Sequence, residues 1–352
     1  MKKFLVVLIG FVIIFSSCEK DRVQFDNNFS TGIFVVNQGV FQSGTGTITY
    51  RNEANNILIN DLFAIQNGGK VLGNIAQSMI KFDNKYFIAV NNAAKIQVVN
   101  AADFKIIGEI PIELPRYFAT DGSKLYVTSY NSDFASGRIN EVDTKNLSIS
   151  ASISVSNLPE NLLFTGDKLY VTLNSPYGQS SQNVVVVDTK TNKISKSISV
   201  GDSPSSIVKD RNGDIWVSCT GNFAFEPENN TPGSLHRLRD DEKVDSFIFG
   251  KDANGIALSP NGLVVDKDGD RMYFLMDNKV FAHDITDSTF EEESIYDGYF
   301  YGINYQSSTN RIFLADAKDF TSAGEILFIN PETNATGRFA TGIAPGFIYF
   351  EE

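Results

Sequence analysis

The sequence predicts an all-β protein, a seven-bladed β-propeller of four-stranded antiparallel blades that is closed by a C-terminal strand completing the first blade. Three observations predict it: a recurring strand with a central aromatic residue, turn signals beside each copy, and complementary missing strands in the first and last units. The copies lie 39 to 57 residues apart, which is the length of one blade. The central aromatic residues are Phe34, Phe87, Tyr126, Tyr170, Trp216, Tyr273 and Phe313.

Each unit is predicted to contain four strands, A to D, counted outwards from the propeller axis. The aromatic segment is strand B, and a turn such as residues 121–124 precedes it. Strand C ends in a polar turn, as in residues 186–190, and an alternating strand D follows, as in residues 194–200. A proline-led strand A then opens the next unit, as at Pro159.

The two ends of the repeat region fit together. Residues 32–37 form a B strand that no A strand precedes, whereas residues 344–350 have the pattern of an A strand that no B strand follows. We therefore expect the last strand to complete the first blade, so that no free sheet edge remains between the first and last blades. Two stacked β-sandwiches are the alternative, but they do not explain why the A strand missing at one end is matched by an extra A strand at the other.

The N-terminus has the pattern of an export signal. Lys2 and Lys3 precede a twelve-residue apolar run over 4–15, which is too short to span a bilayer, and two serines then lead to Cys18. Residues 15–18 resemble a bacterial lipobox of the kind common in Bacteroidetes, in which the cysteine becomes the lipid-bearing first residue. A plain secretory signal is the alternative.

The region after Cys18 predicts the location. Residues 19–21 are similar to the surface-export signal of Bacteroidetes lipoproteins, although Arg22 stands where a second acid is expected. We therefore predict a protein anchored by lipid in the outer membrane and exposed at the cell surface. The predicted division of the chain is a lipoprotein signal peptide (1–17), the lipidated Cys18 with a surface tether (18–30) and the propeller (31–352).

Composition excludes several functions. The formal charge is −12, from 42 acidic and 30 basic residues, which disfavours a nucleic-acid partner. The two histidines, His236 and His283, leave little room for a multi-histidine metal site or a catalytic triad, and both are predicted to project from sheet surfaces. Beyond Cys18 there is only Cys219, which is predicted to be buried as a small hydrophobic residue. We predict no catalytic residues, no metal and no cofactor.

Connections on one face of the predicted propeller are long. The B-to-C and D-to-A connections share this face, which we call the long-loop face, and the A-to-B and C-to-D turns share the opposite, short-turn face. Binding in repeat folds is usually placed on a face with lengthened loops. The long B-to-C connections are 37–45, 129–137, 174–182, 220–233 and 316–323.

Aromatic side chains on the long-loop face are interleaved with Asn, Ser, Gln and Gly. This mixture suits a large, mostly neutral ligand rich in amides or hydroxyls. The alternative is that part of these aromatic residues pack beneath their own loops. The candidate ligand-binding residues are Phe41, Arg116, Tyr117, Tyr130, Phe134, Tyr177, Phe223, Phe225, Tyr301 and Phe320.

Catalytic signals are weaker. Residues 266–270 have the oxygen spacing of a calcium loop, but no closing glutamate follows, and their position predicts an A-to-B turn instead. Some propeller enzymes hold calcium in the axial channel with Glu and Asn side chains, and Asn254, Asn304 and Asp316 are candidates for positions near that axis.

The units at 125–128 and 169–172, with their Val-Asp-Thr-Lys turns, resemble YVTN-type propellers such as YncE. Nearly the whole mature chain resembles the BtuG-type cobalamin-binding surface lipoproteins of Bacteroidetes. The stretches that carry this likeness are 76–79, 90–92, 115–117, 301–302, 315–317 and 342–346.

The resemblance implies a non-catalytic lipoprotein that captures cobalamin or a related corrinoid on the long-loop face. It further implies that the ligand passes to an outer-membrane TonB-dependent transporter, with membrane contact through the lipid anchor only. The alternatives are a surface glycan-binding propeller, a calcium-dependent lactonase-like enzyme and an interaction scaffold that binds no small molecule.

Overall fold

The computed structural model describes residues 29, 32–44, 46–176, 179–223, 229–252, 254–291 and 294–351. Within these residues the strands form seven four-stranded antiparallel sheets, so the predicted seven-bladed propeller is confirmed. In the described part of the chain, no helix is long and apolar enough to cross a membrane.

The blades follow one another in chain order, and each contains an A, B, C and D strand. The first blade is β28-β1-β2-β3, and the other six take four consecutive strands each, from β4-β5-β6-β7 to β24-β25-β26-β27. The strands are β1 (Gly32–Asn37), β2 (Thr47–Asn52), β3 (Ile57–Ile59), β4 (Ala76–Phe82), β5 (Lys85–Val90), β6 (Lys95–Asn100), β7 (Ile106–Pro111), β8 (Pro115–Thr120), β9 (Leu125–Tyr130), β10 (Gly137–Asp143), β11 (Ser148–Val155), β12 (Leu158–Thr165), β13 (Lys168–Asn174), β14 (Asn183–Asp188), β15 (Lys193–Ser199), β16 (Pro204–Lys209), β17 (Ile215–Cys219), β18 (Ser234–Arg239), β19 (Glu242–Ile248), β20 (Asn261–Val265), β21 (Arg271–Met276), β22 (Lys279–Asp284), β23 (Ser294–Asp297), β24 (Gly302–Gln306), β25 (Arg311–Asp316), β26 (Ala323–Ile329), β27 (Thr336–Ile343) and β28 (Pro345–Glu351).

The last strand closes the ring as predicted. In the antiparallel pair β28–β1, Gly32 lies opposite Glu351 at the short-turn face and Asn37 lies opposite Pro345 at the long-loop face. An ion pair between Lys81 of β4 and Glu351 ties the last strand to the second blade. The C-terminal strand is therefore held in the first blade by the same ladder hydrogen bonds that join strands within the other blades.

The hydrophobic core is a ring of layers between neighbouring sheets. In one such layer, Tyr126 and Ile139 of the third blade pack with Leu169 and Val171 of the fourth. The recurring aromatic residue of each B strand lies in these layers, and Trp216 is fully buried. This explains why an aromatic residue recurs at this position, since it fills the space between two twisted sheets.

Three polar or reactive side chains are also enclosed by these layers. Cys219 is fully buried, which confirms the prediction. His236 and His283 project from their sheets as predicted, but they project into the interfaces between blades and are buried there. The His236 ring lies 2.8 Å from Ser234 Oγ and 2.9 Å from Ser246 Oγ, whereas His283 packs edge-on against the ring of Phe247.

Some connections differ from the predicted pattern. The D-to-A connection after β3 contains a helix, α1 (Leu62–Gln66), whose side chains Leu62 and Phe63 are buried against the first blade. Single 3₁₀ turns lie at Asn91–Ala93 and Ser307–Thr309. The C-to-D connection between β22 and β23 is longer than predicted, and its Phe290 packs on Phe249.

Candidate ligand-binding site

A cavity of about 390 Å³ lies on the propeller axis. Its lining comes from the first residues of the A strands, such as Gln77, Arg116 and Tyr301 beside β24, and from the ends of B strands, such as Asn174. A strands begin and B strands end at the long-loop face, so the cavity opens on that face. The sequence placed the candidate site on the same side of the molecule.

The strongest electrostatic feature of the cavity wall is an ion pair between neighbouring blades. Arg116 of β8 donates to Glu160 of β12 through Nη2, at 2.9 Å from Oε1 and 3.1 Å from Oε2, and through Nε, at 3.3 Å from Oε2. Such a two-point contact aligns the planar guanidinium with the carboxylate. The positive charge of Arg116 is therefore neutralised within the wall.

Further hydrogen bonds extend this pair into a network. Arg116 Nη1 donates to Gln77 Oε1 at 2.7 Å, and Gln77 Nε2 donates to the Tyr117 hydroxyl at 3.0 Å. Tyr130 donates its hydroxyl hydrogen to Glu160, and its ring centroid lies 4.8 Å from the Arg116 guanidinium carbon. The network thus presents the cavity with an amide and a phenol rather than with an unpaired charge.

The ionisation of these groups follows from their burial. Removal from water raises the pKa of Glu160 above its ordinary value, and the Arg116 guanidinium opposes that rise. Burial lowers the pKa of Arg116, but Glu160 together with Tyr117 and Tyr301 more than offsets the effect, so the net shift is upward and the guanidinium stays charged. Burial also raises the pKa of Tyr117 to about 12, so its phenol is neutral and available as a donor.

A second polar group closes the opposite side of the cavity. The Tyr301 hydroxyl lies 3.1 Å from Gln38 Nε2, which donates to it, and the Tyr301 ring packs edge-on against Phe320 at 5.0 Å between centroids. Phe347 of β28 approaches Tyr117 at 6.3 Å between ring centroids. Four of the predicted residues, Arg116, Tyr117, Tyr301 and Phe320, therefore lie in or beside one site.

The remaining predicted residues lie in other surroundings. Phe41, Phe134 and Phe223 are on connections of the long-loop face and are exposed by 65%, 58% and 43%, but they do not line the cavity. Tyr130 is the last residue of β9 and is buried beneath the Arg116–Glu160 pair. The predicted ligand residues Tyr177 and Phe225 and the predicted lipidation site Cys18 lie outside the described residues.

The residues that gave the weaker catalytic signals in the sequence are next compared with the structure. Residues 266–270 form the A-to-B turn, as predicted, and Asp266 Oδ1 accepts the backbone N–H of Asp270 at 2.8 Å. Asn304 lines the axial cavity and donates to the carbonyl of Ile348 at 2.7 Å, whereas Asn254 and Asp316 are not part of the lining. Among the described residues, no three His, Cys, Asp or Glu side chains converge as metal ligands would.

Glu160 and Asn161 line the cavity but were not among the predicted site residues. They stand at the third and fourth positions of a proline-containing A strand, Leu158–Thr165. Arg116 and Tyr117 occupy the second and third positions of β8. In both strands a residue of the cavity wall directly follows the proline, and this position was the signal that could have identified Glu160.

Solved structures of other proteins have the same fold. A Pseudomonas aeruginosa periplasmic gluconolactonase, PpgL, superposes with a TM-score of 0.65 at 11% identity, covering 91% of this chain and 98% of its own. A Lactobacillus plantarum protein has a TM-score of 0.65 at 10% identity, with 92% and 99% covered. Kuenenia stuttgartiensis hydrazine synthase has a TM-score of 0.60 at 16% identity, with 78% and 92% covered. At these identities the likeness concerns the fold alone.

Sequence comparison identifies the family. No curated protein sequence matches the chain significantly. A match to the family DUF5074, described as a domain of unknown function, extends over residues 31–323 and so covers most of the propeller. The chain therefore belongs to the DUF5074 family.

Proposed function

We propose that this protein is a non-catalytic cell-surface lipoprotein that binds cobalamin or a related corrinoid at the axial cavity and passes it to an outer-membrane TonB-dependent transporter. The observation that carries the proposal is the neutral polar network of the cavity wall. Because Glu160 neutralises Arg116, the wall offers amides and phenols to a ligand, among them Gln38, Gln77 and Tyr117. Amide-rich, mostly neutral ligands have the matching donors and acceptors.

Size determines how such a ligand would be held. Small-molecule sites commonly have volumes of about 300–1,000 Å³, and the axial cavity of about 390 Å³ is at the low end. A corrin disc would therefore be only partly enclosed. One amide-bearing edge would enter the cavity, and the rest of the disc would remain outside the mouth. The exposed rings of Phe41, Phe134 and Phe223 on the same face would then be available for apolar contact with the disc.

The non-catalytic part of the proposal is supported by the pairing of Glu160. A general base must be free to take a proton from the substrate. Glu160 instead accepts hydrogen bonds from Arg116 at both carboxylate oxygens, and its Oε1 also accepts the Tyr130 hydroxyl. The same bonds fix the orientation of Arg116 and Gln77, which is the role expected of a binding wall.

Calorimetric titration of cyanocobalamin into the soluble chain starting at Glu19 tests the ligand. We expect a Kd below about 1 μM, raised at least tenfold by Tyr117→Ala or Tyr301→Ala. Ile194→Ala, an exposed position on the outer strand β15, serves as the matched control and leaves the Kd unchanged. No heat and no shift in melting temperature at high cobalamin concentration would contradict the proposal.

The membrane part of the proposal has its own test. In cells that express the full chain with its leader, labelled palmitate is expected to be incorporated into the protein and lost with Cys18→Ala. Protease added to intact cells should degrade the lipidated protein if it is surface-exposed. Co-purification of an outer-membrane TonB-dependent transporter with the wild-type chain would support the transfer step, and its absence after cross-linking would count against it.

A further inference from the structure

A second cavity of about 310 Å³ adjoins the axial cavity on the long-loop face. It lies over the sixth blade, β20 to β23, and extends outwards from the propeller axis, so we call it the radial pocket. Asn261 and Tyr301 line both cavities, and Asn261 Nδ2 donates to the carbonyl of Tyr301 at 3.2 Å. The cavities are therefore neighbours with this pair between them, and one ligand would have to reach across the pair to occupy both.

The radial pocket exists because the sixth blade has a very short B-to-C connection. Asp277 and Asn278 alone join β21 to β22, with φ angles of 50° and 56°, as the two central residues of a type I′ hairpin require. The neighbouring blades have much longer connections at the same level, residues 220–233 and 317–322. The sixth blade therefore lacks the long connection that both neighbouring blades have at this level.

The chemistry of the radial pocket differs from that of the axial cavity. Its lining includes Phe300 and Tyr299, which is 56% exposed, whereas Leu275 and Met276 belong to the buried core beneath it. Asp277 and Lys279, one residue of each charge, also line it. A flat apolar ring fits such a lining, because an exposed tyrosine can stack on it.

We propose that the radial pocket binds a planar aromatic base attached by a flexible arm to a ligand whose amide-rich body lies at the axial mouth. This inference rests on the proposed function, because cobalamin has such a base on one face of its corrin disc. The two cavities then divide the ligand between them. The polar axial wall holds the body through hydrogen bonds, and the radial pocket discriminates ligands by the group they carry on the arm.

The test compares cyanocobalamin with dicyanocobinamide, which keeps the corrin ring but lacks the base. For the wild-type chain starting at Glu19 we expect cobalamin to bind about tenfold more tightly than cobinamide. Tyr299→Ala should abolish that preference by weakening cobalamin alone. Tyr117→Ala, which alters the axial wall, is the matched comparison and should weaken both ligands by the same factor.

The outcomes separate the two proposals. Equal binding of both ligands by the wild type, or equal weakening of both by Tyr299→Ala, overturns the radial pocket while leaving corrinoid capture in place. Binding of neither ligand overturns corrinoid capture and the radial pocket with it. A cobalamin preference that disappears only with Tyr299→Ala supports both.

Discussion

The indole Nε1 of Trp216 donates a hydrogen bond of 2.9 Å to Oδ2 of Asp210, and both residues are buried in the fifth blade. The other carboxylate oxygen, Oδ1, accepts the backbone N–H groups of Asn212 and Asp214 at 2.9 and 3.0 Å. One carboxylate therefore fixes both the A-to-B turn and the only tryptophan of the chain.

Asp210→Ala should lower the free energy of unfolding by at least about 2 kcal/mol, because it leaves a buried indole N–H and two turn N–H groups without their acceptor. Asp210→Asn keeps one acceptor oxygen and should cost less. Urea unfolding followed by the fluorescence of Trp216 measures both changes. If the alanine and asparagine variants were equally stable, the hydrogen bonds would not be the cause.

Substitutions of Arg116 and Glu160 should have strongly coupled effects on the free energy of unfolding. Glu160→Leu leaves a guanidinium in the cavity wall without its carboxylate and is expected to cost about 3 kcal/mol. Replacing both residues with leucine removes both charges and should recover a large part of that loss. A double-mutant cycle on urea unfolding checks this. Independent, additive effects of the two single substitutions would contradict the coupling.

Stability should fall as the pH decreases from 6.5 to 4, in part through His236. Burial lowers the pKa of this residue from 6.5 to about 4, so within that range the unfolded chain binds a proton that the folded chain does not. The slope from one such group is at most about 1.4 kcal/mol per pH unit. The stabilisation is complete above pH 6.5.

His236→Gln should flatten this dependence when urea unfolding is measured at pH 7, 6 and 5. Burial also lowers the pKa of His283, which therefore contributes with the same sign. His283→Gln is the matched comparison, and the double variant should show the flattest profile. An unchanged slope in the His236 variant would rule out its part in the effect.

The thiol of Cys219 should be inert in the folded protein. Burial raises its pKa to about 12, so the reactive thiolate is scarce, and the side chain has no exposed surface. In the chain starting at Glu19 this is the only cysteine. Ellman's reagent at pH 8 should therefore react with about one thiol in denaturant and with almost none in buffer. Rapid reaction in buffer would show that the interface between blades opens.

Ring closure should be sensitive to the packing of the last strand. Ile348 of β28 is buried with Ile33, Val35 and Phe313, and Ile348→Ala is expected to cost about 2–5 kcal/mol. Ile194→Ala removes the same atoms from an exposed position and should cost about 0.5 kcal/mol or less. Thermal unfolding of the two variants compares them directly. Similar melting temperatures would mean that β28 contributes little to the ring.

The repeated pattern made the propeller predictable, because each blade must bury one aromatic residue between two sheets. Ring closure was predictable for a related reason. The C-terminal end has an A strand without a blade, and the first blade lacks an A strand. Helix α1 was not predictable, because five residues are too few for a helical period. Burial of Leu62 and Phe63 against the first blade stabilises this helix.

The aromatic residues of the candidate site were easier to predict from the sequence than its polar residues. Tyr117 and Tyr301 stood out as aromatic residues at blade corners, and both line the axial cavity. Glu160 did not, because a carboxylate in a strand usually faces solvent. Its role depends on Arg116, 44 residues earlier in the chain, which only the ring arrangement brings within hydrogen-bonding distance.

The pairing of Gly32 with Glu351 places both ends of the propeller at the face opposite the axial cavity. If Cys18 carries the lipid, at most about 40 Å of chain separates it from Phe29, which is buried in the core of the first two blades, so the mouth of the cavity would point away from the membrane. Under the proposed function, capture from the medium would need no movement in that orientation. Delivery to a transporter in the same membrane would instead require the propeller to turn over on the chain that joins it to Cys18.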